Sequence, residues 1–211
     1  LAQEHGIPLI IDNAYGMPFP NIIYSDVTLN WHENIILCFS LSKIGLPGVR
    51  TGIIVAAPEV VKAVSSLNAI VNLSPTRFGA AIAAPLLNDG RLKQLADQVI
   101  QPFYRQQAQT AVSLLKRELG AYPLKIHKPE GAIFLWLWFE NLPVSSQTLY
   151  EMLKAEGTLI IPGEHFFVGI DTQDYPHAHE CIRMSIAQDA ETLEKGIAAI
   201  GRVVRGLYDK K

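Results

Sequence analysis

The sequence is poor in charged residues, and the two signs of charge nearly cancel. Charged residues make up 18% of the 211 positions, with 18 Lys and Arg against 20 Asp and Glu, whereas an average soluble domain has about 25%. The basic residues form no cluster, so a nucleic-acid partner is not expected, because phosphate contacts need clustered Lys and Arg. The low charge indicates a chain that buries much surface against another subunit or further chain.

Cysteine is scarce, and long apolar runs are missing. Cys38 and Cys181 are the only cysteines, and two widely separated cysteines make no disulfide framework. We interpret both as small buried apolar side chains in a reducing compartment. Since no apolar run approaches the roughly 18 residues of a membrane span, we expect a cytoplasmic protein with no membrane partner.

Short apolar runs alternate with helical patterns in the first part of the chain. Residues 7–11 (IPLII), 35–39 (IILCF) and 52–56 (GIIVA) are apolar without alternation, which is typical of strands covered on both faces in a parallel sheet. A helical pattern occupies residues 60–67. Strands that alternate with helices predict an α/β fold.

A long helical pattern over residues 91–119 is the predicted domain boundary. Pro102 is expected to kink or split this helix, and Gly120 is expected to end it. We therefore divide the chain into residues 1–95, part of a large domain, and residues 96–211, a smaller α+β domain. In the smaller domain, strands are predicted at residues 124–126, 132–139, 158–161 and 181–185, and helices at residues 146–156 and after a cap at Asp189.

Three polar clusters lie at the ends of the predicted strands of the first part. They are DNAY at residues 12–15, SLSK at residues 40–43, and RTG at residues 50–52. Ligands gather at the carboxyl ends of strands in open parallel sheets, so the first two clusters are expected to meet at one edge. A lysine condenses with an aldehyde, Ser and Arg bind phosphate oxygens, and a carboxylate keeps a pyridine nitrogen protonated. This set of residues suits an aldehyde cofactor that bears a phosphate and a ring nitrogen.

With further motifs, these clusters resemble the class I/II, fold-type I aminotransferases, which use pyridoxal 5'-phosphate (PLP). The motifs occur in order over nearly the whole chain: IDNAYG, SLSK, GVRTG, PEGAIFLW, IIPGEHFF and CIRMS. Their wording is most similar to the subgroup that acts on valine and pyruvate. The resemblance implies the C-terminal part of the PLP-dependent transferase fold. Residues 1–95 would be the end of the large, mostly parallel-sheet domain, and residues 96–211 the interdomain helix and small C-terminal domain.

The resemblance also implies a role for each matching residue. Lys43 matches the lysine that forms a Schiff base with PLP and then moves the substrate proton. Asp12 matches the carboxylate that pairs with the pyridine nitrogen, and Tyr15 matches the phenol beside the 3-oxygen of the ring. Arg183 matches the arginine that binds the substrate carboxylate, a natural bidentate pair. The matching phosphate ligands are Ser40 and Arg50, with Ser42 as a third candidate.

The implied reaction is a ping-pong transamination between an aliphatic amino acid, valine or alanine, and a 2-oxo acid, pyruvate or 2-oxoisovalerate. The resemblance implies a homodimer at full length and no metal. Because the chain begins at Leu1 in what reads as the end of a helix, LAQEHG, we expect a C-terminal fragment. The preceding half would supply a glycine-rich phosphate turn, so the fragment alone is expected to bind PLP poorly and to be inactive.

Other interpretations stay open at this point. A β-lyase or an acyl transferase on the same fold would use the same lysine, and a regulatory domain of this type would be non-catalytic. Taken singly, Asp12 could cap a following helix, and Arg183 could form a structural ion pair.

Three further groups of residues also have two interpretations. The residues at 177–180 (HAHE) lack helical zinc spacing, so hydrogen bonding in a loop is expected rather than a metal site. Trp136 and Trp138 predict a half-buried strand with one tryptophan in the core, and the alternative is that either lines a substrate pocket. The SPTR segment at residues 74–77 is either a contact to a neighbouring subunit or a helix cap.

Overall fold

The chain forms one sheet in each of two structural units, Leu1–Phe103 and Tyr104–Lys211. This computed structural model describes residues 1–73 and 76–210. The boundary expected from the sequence, between residues 95 and 96, stays a prediction. In the described part of the chain, no helix has the length and apolarity that crossing a membrane would require.

The first sheet has three strands, β1 (Leu9–Asp12), β2 (Ile35–Ser40) and β3 (Gly52–Val55), in that order. β1 and β2 are parallel, whereas β3 runs antiparallel to β2 with Ser40 opposite Gly52. Residues 41–51 contain only two short 3₁₀ turns, and a parallel return would need a crossover of a dozen or more residues. The start of β3 therefore lies beside the end of β2.

Coverage of the first sheet differs from the sequence expectation. The side chains of β2 alternate between buried and half-buried, and Leu37 and Phe39 pack into a core with Leu41. In β1, by contrast, Leu9 is 44% and Ile10 66% exposed. The expectation that β1 is covered on both faces is wrong for this chain, because no element of the described residues packs over these side chains.

Four helices follow the first sheet: α1 (Pro58–Val71), α2 (Phe78–Asn88), α3 (Arg91–Leu95) and α4 (Gln101–Leu119). The predicted break in the long helix is present as a π-helical turn at Ala96–Ile100, directly before Pro102. Proline has no backbone N–H and cannot continue the regular hydrogen-bond pattern. π-Helical hydrogen bonding is rare and occurs mostly as single turns of this kind inside α-helices.

The second sheet contains β4 (Leu124–Ile126), β5 (Phe134–Phe139), β6 (Ile161–Pro162) and β7 (Cys181–Ser185). All neighbours are antiparallel, and the order is β4-β5-β7-β6. Residues 158–160, predicted as part of β6, are outside the strand. The helices that follow α4 in this unit are α5 (Ser146–Ala155), α6 (Pro176–Glu180), which was not predicted, and α7 (Ala190–Tyr208).

The start of α7 and the two faces of β5 show how this unit is built. Asp189 caps α7 as expected, since its Oδ1 accepts a hydrogen bond from the Thr192 backbone at 2.9 Å. In β5, Leu137 is buried with the other odd-numbered residues, whereas Trp136 and Trp138 are half-buried on the opposite face. Alternate residues of a strand share a face, so the expectation that one tryptophan lies in the core is wrong.

Replacement of a core residue of β5 tests this assignment of faces. Leu137 is 0% exposed, so Leu137→Ala should lower the free energy of unfolding by about 2–5 kcal/mol, because it leaves a cavity. Leu159→Ala is the matched control, since Leu159 is 69% exposed and such sites change stability by about 0.5 kcal/mol or less. Urea denaturation measures both, and equal midpoints for the two variants would contradict the assignment.

Candidate functional site

The three polar clusters meet at one edge of the first sheet, which was expected of the first two. Asn13, directly after β1, donates its backbone N–H to the Cys38 carbonyl of β2 at 2.8 Å. Leu41, directly after β2, donates to the Thr51 carbonyl before β3 at 3.1 Å. Backbone hydrogen bonds therefore hold the three chain segments together at this edge.

Lys43 lies in the 3₁₀ turn Ser42–Ile44 that follows β2. Ile44 is buried, and Gly45, with a φ of 95°, ends the turn in the left-handed conformation that glycine adopts most easily. The half-buried Lys43 directs its Nζ to 5.6 Å from the centre of the Tyr15 ring. The structure thus brings an amine and a phenol together from segments that lie far apart in sequence.

Arg50 and the two serines form a hydrogen-bonded group beside this turn. Arg50 follows the 3₁₀ turn Pro47–Val49 in a left-handed conformation, with a φ of 45°. Its Nη1 lies 3.4 Å from Ser42 Oγ and 3.3 Å from the Pro47 carbonyl. The Ser42 backbone in turn donates to Ser40 Oγ at 3.2 Å. Two hydroxyls and a guanidinium are donors that suit an anion such as a phosphate.

Asp12 ends β1 with an exposed carboxylate. Its Oδ1 accepts a hydrogen bond from the Ala14 backbone at 3.2 Å. Residues 13–34 contain no helix, so the alternative that Asp12 caps a following helix is wrong. The carboxylate closes a local turn, and it remains accessible at the edge where the three clusters meet.

Arg183 belongs to the second sheet, whereas the three polar clusters belong to the first. It lies on β7 opposite Trp136 of β5 and Ile161 of β6. Its Cζ is 4.1 Å from the centre of the Phe134 ring and 4.7 Å from that of Phe166. These distances are within the range of cation–π contacts. Such contacts stabilise a guanidinium that is partly removed from water.

Not every hydrogen-bond donor of Arg183 has a partner among the described residues. Its Nε is buried and has no hydrogen-bond partner among the described residues. No acidic side chain of the described part of the chain forms an ion pair with it, so the alternative of a structural ion pair is wrong. A buried donor without a partner is costly, and a planar anion that accepts two hydrogen bonds would satisfy it. A cavity of about 290 Å³ next to it is lined by residues 127–131, Phe134, Leu135, Trp136 and Arg183.

The residues at 177–180 form hydrogen bonds, as expected, but they lie in the helix α6 and not in a loop. Glu180 accepts from Trp138 Nε1 at 2.7 Å and from the Asn141 backbone at 2.9 Å. Within residues 1–73 and 76–210, no group of three His, Cys, Asp or Glu side chains is arranged to hold a metal ion. Ser74 and Pro75 of the SPTR segment lie outside the described residues, whereas Thr76 Oγ1 accepts a hydrogen bond from the Phe78 backbone at the start of α2.

The two cysteines differ in their surroundings. Cys181 is fully buried, and this burial raises the pKa of its thiol to about 11. Cys38 is half-buried. The interpretation as buried apolar side chains is therefore confirmed for Cys181 and is only partly right for Cys38.

The chain belongs to the aminotransferase class I and II family, whose model matches residues 1–200. It is 46% identical over 204 residues to valine–pyruvate aminotransferase of Escherichia coli (strain K12), over 97% of this chain and 49% of that protein. The chain thus spans about half the length of this relative. The resemblance noted from the sequence motifs is confirmed, and members of this family use PLP.

Solved structures show the same fold. A protein of Psychrobacter arcticum 273-4 that is named as an amino-acid aminotransferase superposes with a TM-score of 0.96 at 70% identity. The match covers 100% of this chain and 48% of that one. Valine–pyruvate aminotransferase from Salmonella typhimurium LT2 superposes with a TM-score of 0.91 at 43% identity, over 100% of this chain and 54% of that one. The predicted fold class, an α/β part of the PLP-dependent transferase fold with a small α+β unit, is confirmed.

Thiol labelling tests the burial of Cys181. At pH 8, well below a pKa of about 11, the Cys181 thiolate is scarce, and the thiolate is the reactive form. We therefore expect iodoacetamide to leave Cys181 unmodified in the native protein and to modify it in urea. Peptide mass spectrometry reads out the label, and rapid native labelling of Cys181 would contradict the structure.

Proposed function

We propose that the protein to which this chain belongs transfers an amino group between an amino acid and a 2-oxo acid, with PLP as its cofactor. The observation that supports this most is the approach of Lys43 to Tyr15 beside the Ser42–Arg50 hydrogen bond. An amine, a phenol and an anion-binding group at one edge of a sheet match the three chemical parts of PLP.

The residues present fit this cofactor. Lys43 would hold its aldehyde carbon, Asp12 its ring nitrogen and Tyr15 its 3-oxygen. Bound PLP supplies an electron sink that stabilises negative charge at the substrate Cα. The carboxylate of Asp12 favours the protonated ring nitrogen, because an opposite charge nearby stabilises the charged form. The ligands for the phosphate would be Ser40, Ser42 and Arg50.

The proposed reaction requires two further roles from residues of this chain, which are proton transfer and carboxylate binding. Lys43 Nζ would take the proton from the substrate Cα as a general base and then, as a general acid, deliver it to the carbon that had been the aldehyde carbon of PLP. Arg183 would bind the α-carboxylate of the amino acid in the first half-reaction and that of the 2-oxo acid in the second. Its buried, unpartnered Nε supports this role, because a bidentate carboxylate would satisfy it.

Valine, alanine and pyruvate are the proposed substrates. The name of the 46% identical relative supports this choice, and so do the apolar side chains around Arg183. Phe134 and Phe166 lie close to the guanidinium, and Ile161 is its neighbour on β6. Apolar surroundings favour an aliphatic substrate side chain over a charged one, because burying a second charge is costly.

We further propose a cytoplasmic homodimer at full length. Low overall charge supports extensive burial against another chain, and so does α1, where Ile70 is 78% and Val71 71% exposed. The incomplete coverage of β1 supports the proposal that this chain alone binds PLP poorly and is inactive. Experiments on function therefore use the full-length protein.

Replacement of Lys43 tests the cofactor assignment. Full-length Lys43→Ala should lose the visible absorbance of protein-bound cofactor and covalent labelling by PLP and borohydride, because no amine remains to bond the aldehyde. Transamination of L-valine with pyruvate should fall by about 10²–10⁴-fold or more, as for loss of a general base. Lys116→Ala, on the exposed surface of α4, is the control and should match the wild type. A label that stays at the wild-type level in Lys43→Ala would refute the assignment.

Product analysis separates transamination from other reactions on this fold. With L-valine and pyruvate, the wild type should form 2-oxoisovalerate and alanine in equal amounts, because each amino group that leaves valine arrives on pyruvate. A β-lyase or an acyl transferase would give other products, and a regulatory domain would give none. Chromatographic quantification of both products decides among them.

Replacement of Arg183 tests carboxylate binding. Arg183→Lys keeps the positive charge but loses the bidentate geometry, so KM for L-valine should rise about 10–100-fold, the range for loss of a charged hydrogen bond. Arg202→Lys is the matched control, since Arg202 pairs with Glu156 at the surface. Steady-state kinetics measure both variants, and an unchanged KM in Arg183→Lys would remove Arg183 from the site.

A further inference from the structure

The segment after β6 places an aromatic ring against Arg183. This segment, residues 163–175, begins with the 3₁₀ turn Gly163–Phe166 and ends at the start of α6. The Phe166 ring lies 4.7 Å from Arg183 Cζ, and it meets Trp136 edge-on at 5.3 Å. The position of this segment therefore determines how the guanidinium of Arg183 is covered.

Close backbone packing fixes where the segment starts. A Cβ atom at Gly163 would lie 2.6 Å from the Cys181 carbonyl and 2.7 Å from the Ala178 carbonyl. Real Cβ atoms do not approach backbone oxygens so closely, so the turn lies against the α6–β7 junction in a way that only glycine permits. Side chains connect later residues of the segment to α6, since the Phe167 ring lies 5.8 Å from the His177 ring.

His179 of α6 joins both ends of the segment. Its Nδ1 is 2.7 Å from Glu164 Oε2, in the first turn, and its Nε2 is 2.8 Å from the Thr172 carbonyl, near the far end. A carboxylate and a carbonyl only accept hydrogen bonds, so the ring satisfies both contacts only when both nitrogens donate. The imidazolium form therefore fits this arrangement, paired with the Glu164 carboxylate.

The neighbouring ionisable groups of α6 have other partners. The His177 ring meets Trp138 edge-on at 4.7 Å and packs against Phe167 and Tyr175. Glu180 bonds to Trp138 Nε1. His179 is thus the member of this helix whose hydrogen bonds reach across residues 163–175.

We propose that His179 and Glu164 are a positioning pair for substrate binding: together they hold residues 163–175 so that Phe166 stays over Arg183. The proposal rests on the role of Arg183 as the carboxylate ligand. Neither His179 nor Glu164 touches the substrate. Loss of the pair would let the Phe166 ring move and would weaken the binding of a carboxylate by Arg183.

Binding of isovalerate to the full-length protein tests this without any turnover. Isovalerate has the carboxylate and branched chain of valine but no amine that could react. In calorimetry, His179→Ala and Glu164→Ala should each raise its Kd about tenfold, the order expected when a charged hydrogen bond is lost. The double variant should be no weaker than either single variant, because the two residues act as one unit. His165→Ala, an exposed histidine of the same turn, should leave the Kd unchanged.

Glu164→Gln separates hydrogen bonding from charge. Its amide would donate to Nδ1 of a neutral His179, whose Nε2–H would still donate to Thr172, so both contacts are retained. We expect its Kd for isovalerate to stay within about threefold of the wild type, well below the loss in Glu164→Ala. If Glu164→Gln and Glu164→Ala were equally weak, the positioning role would be overturned in favour of a charge effect.

Kinetics of the same variants supply a second readout. KM for L-valine should rise about tenfold while kcat changes less than about twofold, which is the signature of lost binding rather than lost chemistry. Circular dichroism and thermal melts identify the folded variants, and if His179→Ala does not fold, the two Glu164 variants decide. Folded Ala variants with wild-type Kd and KM would overturn the inference while leaving the proposed function intact. A wild type that binds isovalerate but forms no alanine from valine and pyruvate would overturn the proposed function instead.

Discussion

Burial of Leu41 and Ile44 in the core of the first unit is the constraint on which the candidate cofactor site depends. Both side chains are 5% exposed or less, and they anchor the chain where it leaves β2. Because the connection from β2 to β3 spans only residues 41–51, its turns stay at the edge of the sheet, next to the end of β1. Lys43 lies between these two anchors, so its amine is held near Tyr15 by packing rather than by a hydrogen bond of its own.

The second unit solves a different physical problem, which is to keep a guanidinium in apolar surroundings. Arg183 is accompanied by aromatic rings rather than by a carboxylate of the described residues. Rings attract the cation without using up its hydrogen-bond donors, whereas a structural carboxylate would occupy them. This arrangement leaves Nε of Arg183 without a partner among the described residues, which the proposed binding of a substrate carboxylate requires.

Local patterns in the sequence predicted where the strands lie better than they predicted what packs around the strands. The run at residues 35–39 and the motif CIRMS both became strands with nearly the expected bounds. Apolar runs do not encode the direction of pairing, so the antiparallel orientation of β3 had to come from the length of the connection before it. Nor do they encode what covers a strand, which is why β1 was expected to be buried. The meeting of Asp12 with SLSK was predictable, because the ends of parallel neighbours share an edge.

The surroundings of Arg183 were harder to predict, for a physical reason. Phe134 could have been placed on its face by the alternation of β5, since it lies two residues from Trp136. Phe166 and His179 carry no such signal, because Phe166 lies in a 3₁₀ turn and His179 in a helix of five residues, and neither follows the alternation of a strand. A family motif identifies an arginine by its neighbours in sequence, but under the proposed positioning role its affinity for a carboxylate also depends on residues that fold against it from a loop. Differences in substrate preference among relatives are therefore expected to lie in this loop more than in the strand that carries the arginine.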